Sequence, residues 1–156
     1  MAPYPFIQLI LKNYGAKIGN NCVIDTGMII HRPDPIIPFK NLEIGDNVYI
    51  GHNVLFDLTT KITIENEIGI GAGCQFWTHT GDFKENFMDK EHDYHEEILP
   101  IKIEKKTICY SGVIVSPGVT IGKYGRIGAG SFVSNNTNSY SFYGGVPAKK
   151  IKDLII

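Results

Sequence analysis

Long apolar runs, an excess of charge of either sign and any framework of cysteines are all missing from this 156-residue chain. The longest apolar stretch, Phe6 to Leu11, falls far short of the ~20 residues a membrane-spanning helix needs. It also lacks the flanks of a secretory signal, so the expectation is a soluble, cytoplasmic protein without membrane insertion. Lys plus Arg number 15 against 16 Asp plus Glu, a net charge of −1 that provides no basic surface for nucleic acid or anionic lipid. Three cysteines, Cys22, Cys74 and Cys109, have no metal-ligand spacing; they read as small buried hydrophobes, with no disulfide or zinc cluster expected. The length suits one domain, 1–156.

What the chain does have is a six-residue period. Ile121-Gly122 is followed six places on by Ile127-Gly128, and the spacing extends through Ile18, Ile24 and Ile30, through Ile44, Ile50 and Phe56, through Ile64, Ile70 and Phe76, and through Ile103, Cys109, Val115 and Val133. Four places after these anchors stand more small or apolar residues, among them Val48, Val54, Ile68, Val113 and Val119. Each hexad therefore turns two side chains toward a common interior. Gly, Asn and Asp lie between them, as in Gly19-Asn20-Asn21 and Gly45-Asp46-Asn47, and these tolerate the backbone of tight corners. A short strand and a corner, repeated three times per turn, predicts an all-β solenoid shaped as a triangular prism.

Three stretches interrupt the period. Residues 31–43, with Pro33, Pro35 and Pro38, read as a loop leaving the prism. Near Thr59-Thr60 the register slips by two, which predicts a bulge or a wider corner. Residues 80–102 are polar and aperiodic, a long excursion of the kind that carries function. Beyond Val133 the repeat gives way to a tail, residues 134–156, expected to cap the end.

The hexads, the excursion, and the sequence Gly144-Gly145-Val146-Pro147-Ala148-Lys149 together resemble the hexapeptide-repeat acyltransferases, in particular the O-acetyltransferases that act on sugars and polysaccharides. The resemblance covers residues 40–152 and implies a left-handed parallel β-helix. That hand comes from the resemblance, because the general rule for parallel crossovers gives the opposite one. It also implies acetyl-CoA as co-substrate, a homotrimer, and a direct ternary transfer with no acyl-enzyme. The chain departs from the sugar acetyltransferases of this kind in lacking an N-terminal helical segment, its repeat beginning by Ile18.

His79, just before the long excursion, matches the general base of such enzymes. An acceptor hydroxyl must lose a proton as it attacks a thioester, and an imidazole, with an ordinary pKa of about 6.5, suits that task. The matching oxyanion donor is the backbone N–H of Ser111, whose role does not depend on its side chain. Ala129 and Ser134 match positions along the pantetheine and nucleotide groove, and Lys149 and Lys152 match basic residues near the nucleotide phosphates. Gly51, Ile108 and Asn135 depart from the family pattern. Because Gly51 stands where the family carries an Asn, the partner that orients His79 is sought among His52, Asn53, Asp57 and Asp82, with Asp82 and Asn53 ranked first. Trp77 is placed beside His79 as a surface for a sugar ring or a subunit contact.

Two other readings stay open. One is a silent trimeric scaffold or regulatory subunit. The other is a zinc enzyme similar to the γ-class carbonic anhydrases, which needs three convergent histidines; here His92 and His95 lie off the hexad ladder, and no metal is expected.

Overall fold

The computed structural model describes residues 4–83 and 94–155. Short parallel strands stack coil upon coil on three faces. The first face holds Lys17–Ile18, Leu42–Ile44, Ile62–Ile64, Ile101–Ile103 and Thr120–Ile121. The second holds Val23–Ile24, Tyr49–Ile50, Gly69–Ile70, Ile108–Cys109, Arg126–Ile127 and, at its end, Ser141–Gly145 and Ala148–Asp153. The third holds Ile29–His31, Leu55–Asp57, Gln75–Phe76, Ile114–Val115 and Phe132–Val133. Pairing runs in register, anchor on anchor: Ile44 with Ile64, Ile50 with Ile70, Phe56 with Phe76.

The hexad grammar explains this shape. Anchors are buried and point inward, so Ile24, Ile50, Ile70, Cys109 and Ile127 form one interior column and Phe56, Phe76, Val115 and Val133 another. Phe56 and Phe76 stack with ring centres 5.4 Å apart and are among the largest fully buried side chains. The three cysteines are free and buried, and burial pushes the thiols of Cys74 and Cys109 up. At the corner between the first and second faces, Asn21, Asn47, Glu67, Lys106, Tyr124 and Tyr140 all adopt left-handed backbone. Elsewhere the coils approach too closely for any side chain: a Cβ on Gly71 would lie 2.5 Å from Ser111 N.

Contrary to the sequence expectation, the N-terminal end carries a helix, α1 (Tyr4–Asn13). Ile7 and Leu11, one turn apart, face the core. Gly15, at φ 103°, ends the helix: its N–H bonds to Lys12 O at 3.1 Å while Ala16 N–H bonds to Leu11 O at 2.9 Å, the two hydrogen bonds of a glycine C-cap. Leu11 and Ala16 thereby close the N-terminal end of the prism.

The excursions also differ from plain loops. His79–Phe83 pairs antiparallel with Tyr94–Ile98, so the edges of the long excursion form a ribbon, and the prism resumes at Ile101. At the other end the coil continues past Val133. Thr137 bridges to Ile121, Ser141–Gly145 adds a parallel strand beside Arg126–Ile127, and only then does Ala148–Asp153 fold back antiparallel. The predicted tail is thus one more partial coil plus a covering strand.

Candidate active site

The coil through Thr59-Thr60 is two residues longer than the coil that ends at Ile121, since Ile44 pairs with Ile64 whereas Ile103 pairs with Ile121. Those residues widen the corner between the third and first faces, and the polar cluster sits there. Asp57, at the end of its strand, is fully buried. Its Oδ2 accepts from Thr78 N–H at 2.8 Å, His79 N–H at 3.0 Å and Thr78 Oγ1 at 3.0 Å, and lies 2.6 Å from His79 Nδ1. Its Oδ1 accepts from Thr59 Oγ1 at 2.8 Å and lies 3.1 Å from Nδ1 of His31.

Burial alone raises the pKa of a carboxyl, and here it is the largest single influence. The hydrogen bonds from His79, Thr59, His31 and the Thr78 N–H together outweigh it and hold Asp57 well below the usual carboxylate range. A fixed carboxylate thus faces Nδ1 of His79. With the ring proton on Nδ1, the remaining nitrogen, Nε2, carries the lone pair. His31 stacks on His79 with ring centres 5.3 Å apart and planes 7° apart, and Trp77 meets both rings edge-on at 5.4 and 6.2 Å. Next to His31, Arg32 pairs with Glu96 of the ribbon, tying the two excursions together beside the cluster.

The residue that holds His79 is therefore Asp57, and the ranking of Asp82 and Asn53 above it is corrected. Asn53 lies at a different edge of the prism, in the corner between the second and third faces, with a left-handed backbone at φ 56°. Asp82 sits in the ribbon, where its backbone is paired with His95. Gly51 is buried at the same edge as Asn53, where a Cβ would meet Ala72 N at 2.8 Å, so packing forbids the side chain that a count of positions would place there.

Ser111 and Ala129 stack in one column at the second-to-third corner, with Gly130 N–H bonded to Ser111 O at 2.9 Å. Ser134 follows the third-face strand Phe132–Val133, on the edge that carries Trp77 and His79. Lys149 and Lys152 lie exposed on the covering strand of the second face. Within one chain, then, His79 and Ser111 occupy different edges and are not brought together. Trp77 is beside His79, half-buried, with its indole N–H bonded to Gln75 Oε1 at 3.0 Å.

His31, read from sequence as a loop residue, ends a third-face strand and joins the cluster. A signal was available: it is one coil before Asp57 in strand register. His92 lies outside the described residues. His31, Asp57 and His79 bring three ligand-type atoms within 4.8 Å. The carboxylate oxygens are nonetheless filled by hydrogen bonds from three backbone N–H groups, two threonine hydroxyls and both rings, so the set is a hydrogen-bonded cluster and no metal is assigned to it.

Comparison with known proteins agrees with this architecture. No family model matches the chain. A Schizosaccharomyces pombe protein whose acetyltransferase name is provisional is 34% identical over 116 residues, covering 73% of this chain and 54% of that protein. The galactoside O-acetyltransferase of Lactococcus lactis is 29% identical over 147 residues, covering 92% of this chain and 67% of that enzyme. This chain thus spans about half to two thirds of the length of these curated relatives. Among solved structures, the hexapeptide-repeat acetyltransferase of Vibrio cholerae complexed with acetyl coenzyme A superposes with a TM-score of 0.85 at 22% identity, over 100% of this chain and 80% of that one. The fold is the left-handed parallel β-helix. In sequence and fold the chain is similar to the hexapeptide-repeat acetyltransferases, sugar O-acetyltransferases among them.

Proposed function

We propose that the chain transfers an acetyl group from acetyl-CoA to a hydroxyl, or an amine, of a sugar or polysaccharide precursor, with His79 as general base. The observation that carries this reading is the 2.6 Å contact between His79 Nδ1 and the buried carboxylate of Asp57. A carboxylate at Nδ1 fixes the tautomer and orients the ring, leaving Nε2 to take the acceptor proton. As that proton moves to Nε2, the acceptor oxygen bonds to the thioester carbon and the carbonyl electrons go to oxygen. Collapse of this intermediate breaks the carbon–sulfur bond, and the leaving thiolate recovers the proton from Nε2. The transfer is direct, and the buried, unactivated cysteines are unsuited to forming an acyl-enzyme.

The oxyanion donor, the backbone N–H of Ser111, belongs to another edge of the prism. A homotrimer would complete the site by setting the His79 edge of one chain against the Ser111 edge of the next. Ala129, Ser134, Lys149 and Lys152 would then line the coenzyme groove, and Trp77 would face the acceptor sugar. The acetyl-CoA complex of the Vibrio cholerae structure and the galactoside activity named for the Lactococcus lactis relative support this reading. The test is acetyl-CoA-dependent acetylation of a panel of galactosides, glucosides and amino sugars, with products identified by mass spectrometry. An acetylated sugar is expected, and its absence across the panel with intact, trimeric protein would reject the proposal.

A further inference from the structure

Asp57 anchors two imidazoles through the same ring atom. Its Oδ2 lies 2.6 Å from Nδ1 of His79 and its Oδ1 3.1 Å from Nδ1 of His31, and the rings stack with centres 5.3 Å and planes 7° apart. Each Nδ1 is committed to the carboxylate, so each Nε2 lies across its ring from Asp57, and among the described residues neither Nε2 has a hydrogen-bond partner. Access to water divides the same way. The Asp57 side chain has none, whereas that of His31 is 40% exposed and that of His79 13%, so the open part of each ring is the part away from the carboxylate. We infer that His31 is a specificity residue whose Nε2 binds a second hydroxyl of the sugar while the first is acetylated, so that the acceptor is a diol held by both rings. This rests on the reading of His79 as the base.

Spacing and chemistry both fit a diol. Hydrogen bonds of about 2.8 Å from two stacked rings can lean toward one another, so ring centres 5.3 Å apart suit oxygens on neighbouring or next-but-one carbons of one sugar. A hydroxyl both donates and accepts, and an imidazole nitrogen accepts when bare and donates when protonated, so the bond to His31 forms in either state of that ring. Trp77 stands edge-on to both imidazoles, at 5.4 and 6.2 Å, and bounds this place on one side. The hydroxyls of Thr59 and Thr78 are turned to Asp57, and the Arg32 side chain next to His31 is tied to Glu96. A deoxy sugar would set a methylene against Nε2 of His31 and leave that nitrogen without the partner it was turned to meet, which is how a polar site rejects an analogue.

The test is kcat/KM for acetylation of methyl galactoside, methyl glucoside and their monodeoxy analogues by the parent and by His31→Asn. The asparagine amide can reproduce the N–H that Nδ1 offers Asp57 and has no atom in the place of Nε2. In the parent, removing one hydroxyl other than the acetylated one is expected to lower kcat/KM by about 10- to 100-fold, and in His31→Asn that ratio should shrink to about threefold or less. A His31 that merely props Asp57 and His79 would slow every acceptor alike and leave the ratio as it was. That result in active enzyme overturns the inference and spares the base assignment, as does a parent indifferent to every second hydroxyl. Should His31→Asn fail to fold, His31→Phe, which keeps a ring in the stack without either nitrogen, gives the same comparison, because the ratio is taken within one protein. Protein that acetylates neither sugar rejects the base reading, and the ring signals of His31 in NMR then decide: shifted by a methyl glycoside and not by its deoxy analogue, they sustain the grip on the diol; unshifted, they overturn it.

Discussion

Replacing Asp57 by asparagine changes one atom at the centre of the cluster and has consequences that can be worked through. The amide oxygen can take the Oδ2 position, where the Thr78 and His79 N–H groups point, so those two backbone donors stay satisfied while the Thr59 N–H, 3.3 Å from Oδ1, loses its acceptor. The amide nitrogen then faces Thr59 Oγ1 and His31 Nδ1, which must turn from donor to acceptor. What is lost is the charge behind these hydrogen bonds. Bonds to charged groups contribute about 1.5–3 kcal/mol against about 1 kcal/mol for neutral ones, so the loss at neutral pH is about 2–4 kcal/mol.

The pH dependence identifies the cause. Because the folded-state pKa of Asp57 lies below that of an unfolded aspartate, its stabilisation is complete above the unfolded value and is lost as pH falls toward the folded one. With an unfolded pKa of about 3.9, about 1 kcal/mol of it is gone by about pH 3. The substituted amide does not titrate, so the gap between parent and Asp57→Asn should narrow by about that amount. Urea unfolding at fixed protein concentration, at pH 5 and pH 3, a window below the ordinary imidazole range in which the carboxylate is the group that changes, measures it. A gap that is constant or wider at low pH would refute the argument that an ionised, hydrogen-bonded Asp57 stabilises this corner.

Further outcomes follow from the same geometry. Asp57→Asn should also lower acetyl transfer by about 10²- to 10⁴-fold, read from kcat at saturating acetyl-CoA, because a neutral partner no longer fixes the proton on Nδ1 of His79. Gly71→Ala should destabilise by about 1–3 kcal/mol, since its Cβ would sit 2.5 Å from the Ser111 backbone nitrogen, whereas Gly73→Ala, at φ 69° with open space around it, should lose about 1 kcal/mol of conformational strain alone. Thermal unfolding midpoints compare the two. Phe76→Ala, which removes one ring of the fully buried Phe56–Phe76 stack, should lose about 3–5 kcal/mol by urea denaturation.

The prism was legible because its signal is repeated: every coil states the same anchors at the same spacing, and Ile44, Ile50 and Phe56 face inward for the same reason as Ile64, Ile70 and Phe76. The elements that do not repeat were read less well. Helix α1 is short and only Ile7 and Leu11 of its apolar residues face the core, yet Ile7, Leu11 and Gly15 form a readable turn-and-cap signal. The partner of His79 shows only when residues are aligned coil on coil, which neither Asp82, close along the chain, nor Asn53, at another edge of the prism, satisfies. Asp57 is one coil back from Trp77, and the two extra residues at Thr59-Thr60 open the corner that lets its carboxylate reach Nδ1 of His79. The same two-residue slip, visible in the sequence as an irregular hexad, marked the position of the cluster without revealing its chemistry. Ser111 and His79 could be named separately, but one chain's sequence says nothing of which edges meet when copies assemble.

The most direct test of the central claim is release of free thiol from acetyl-CoA in the presence of a sugar acceptor, compared between the parent protein and His79→Ala. A drop of about 10²- to 10⁴-fold in kcat is expected for the variant, with its circular dichroism unchanged. Equal turnover by the two proteins would contradict it.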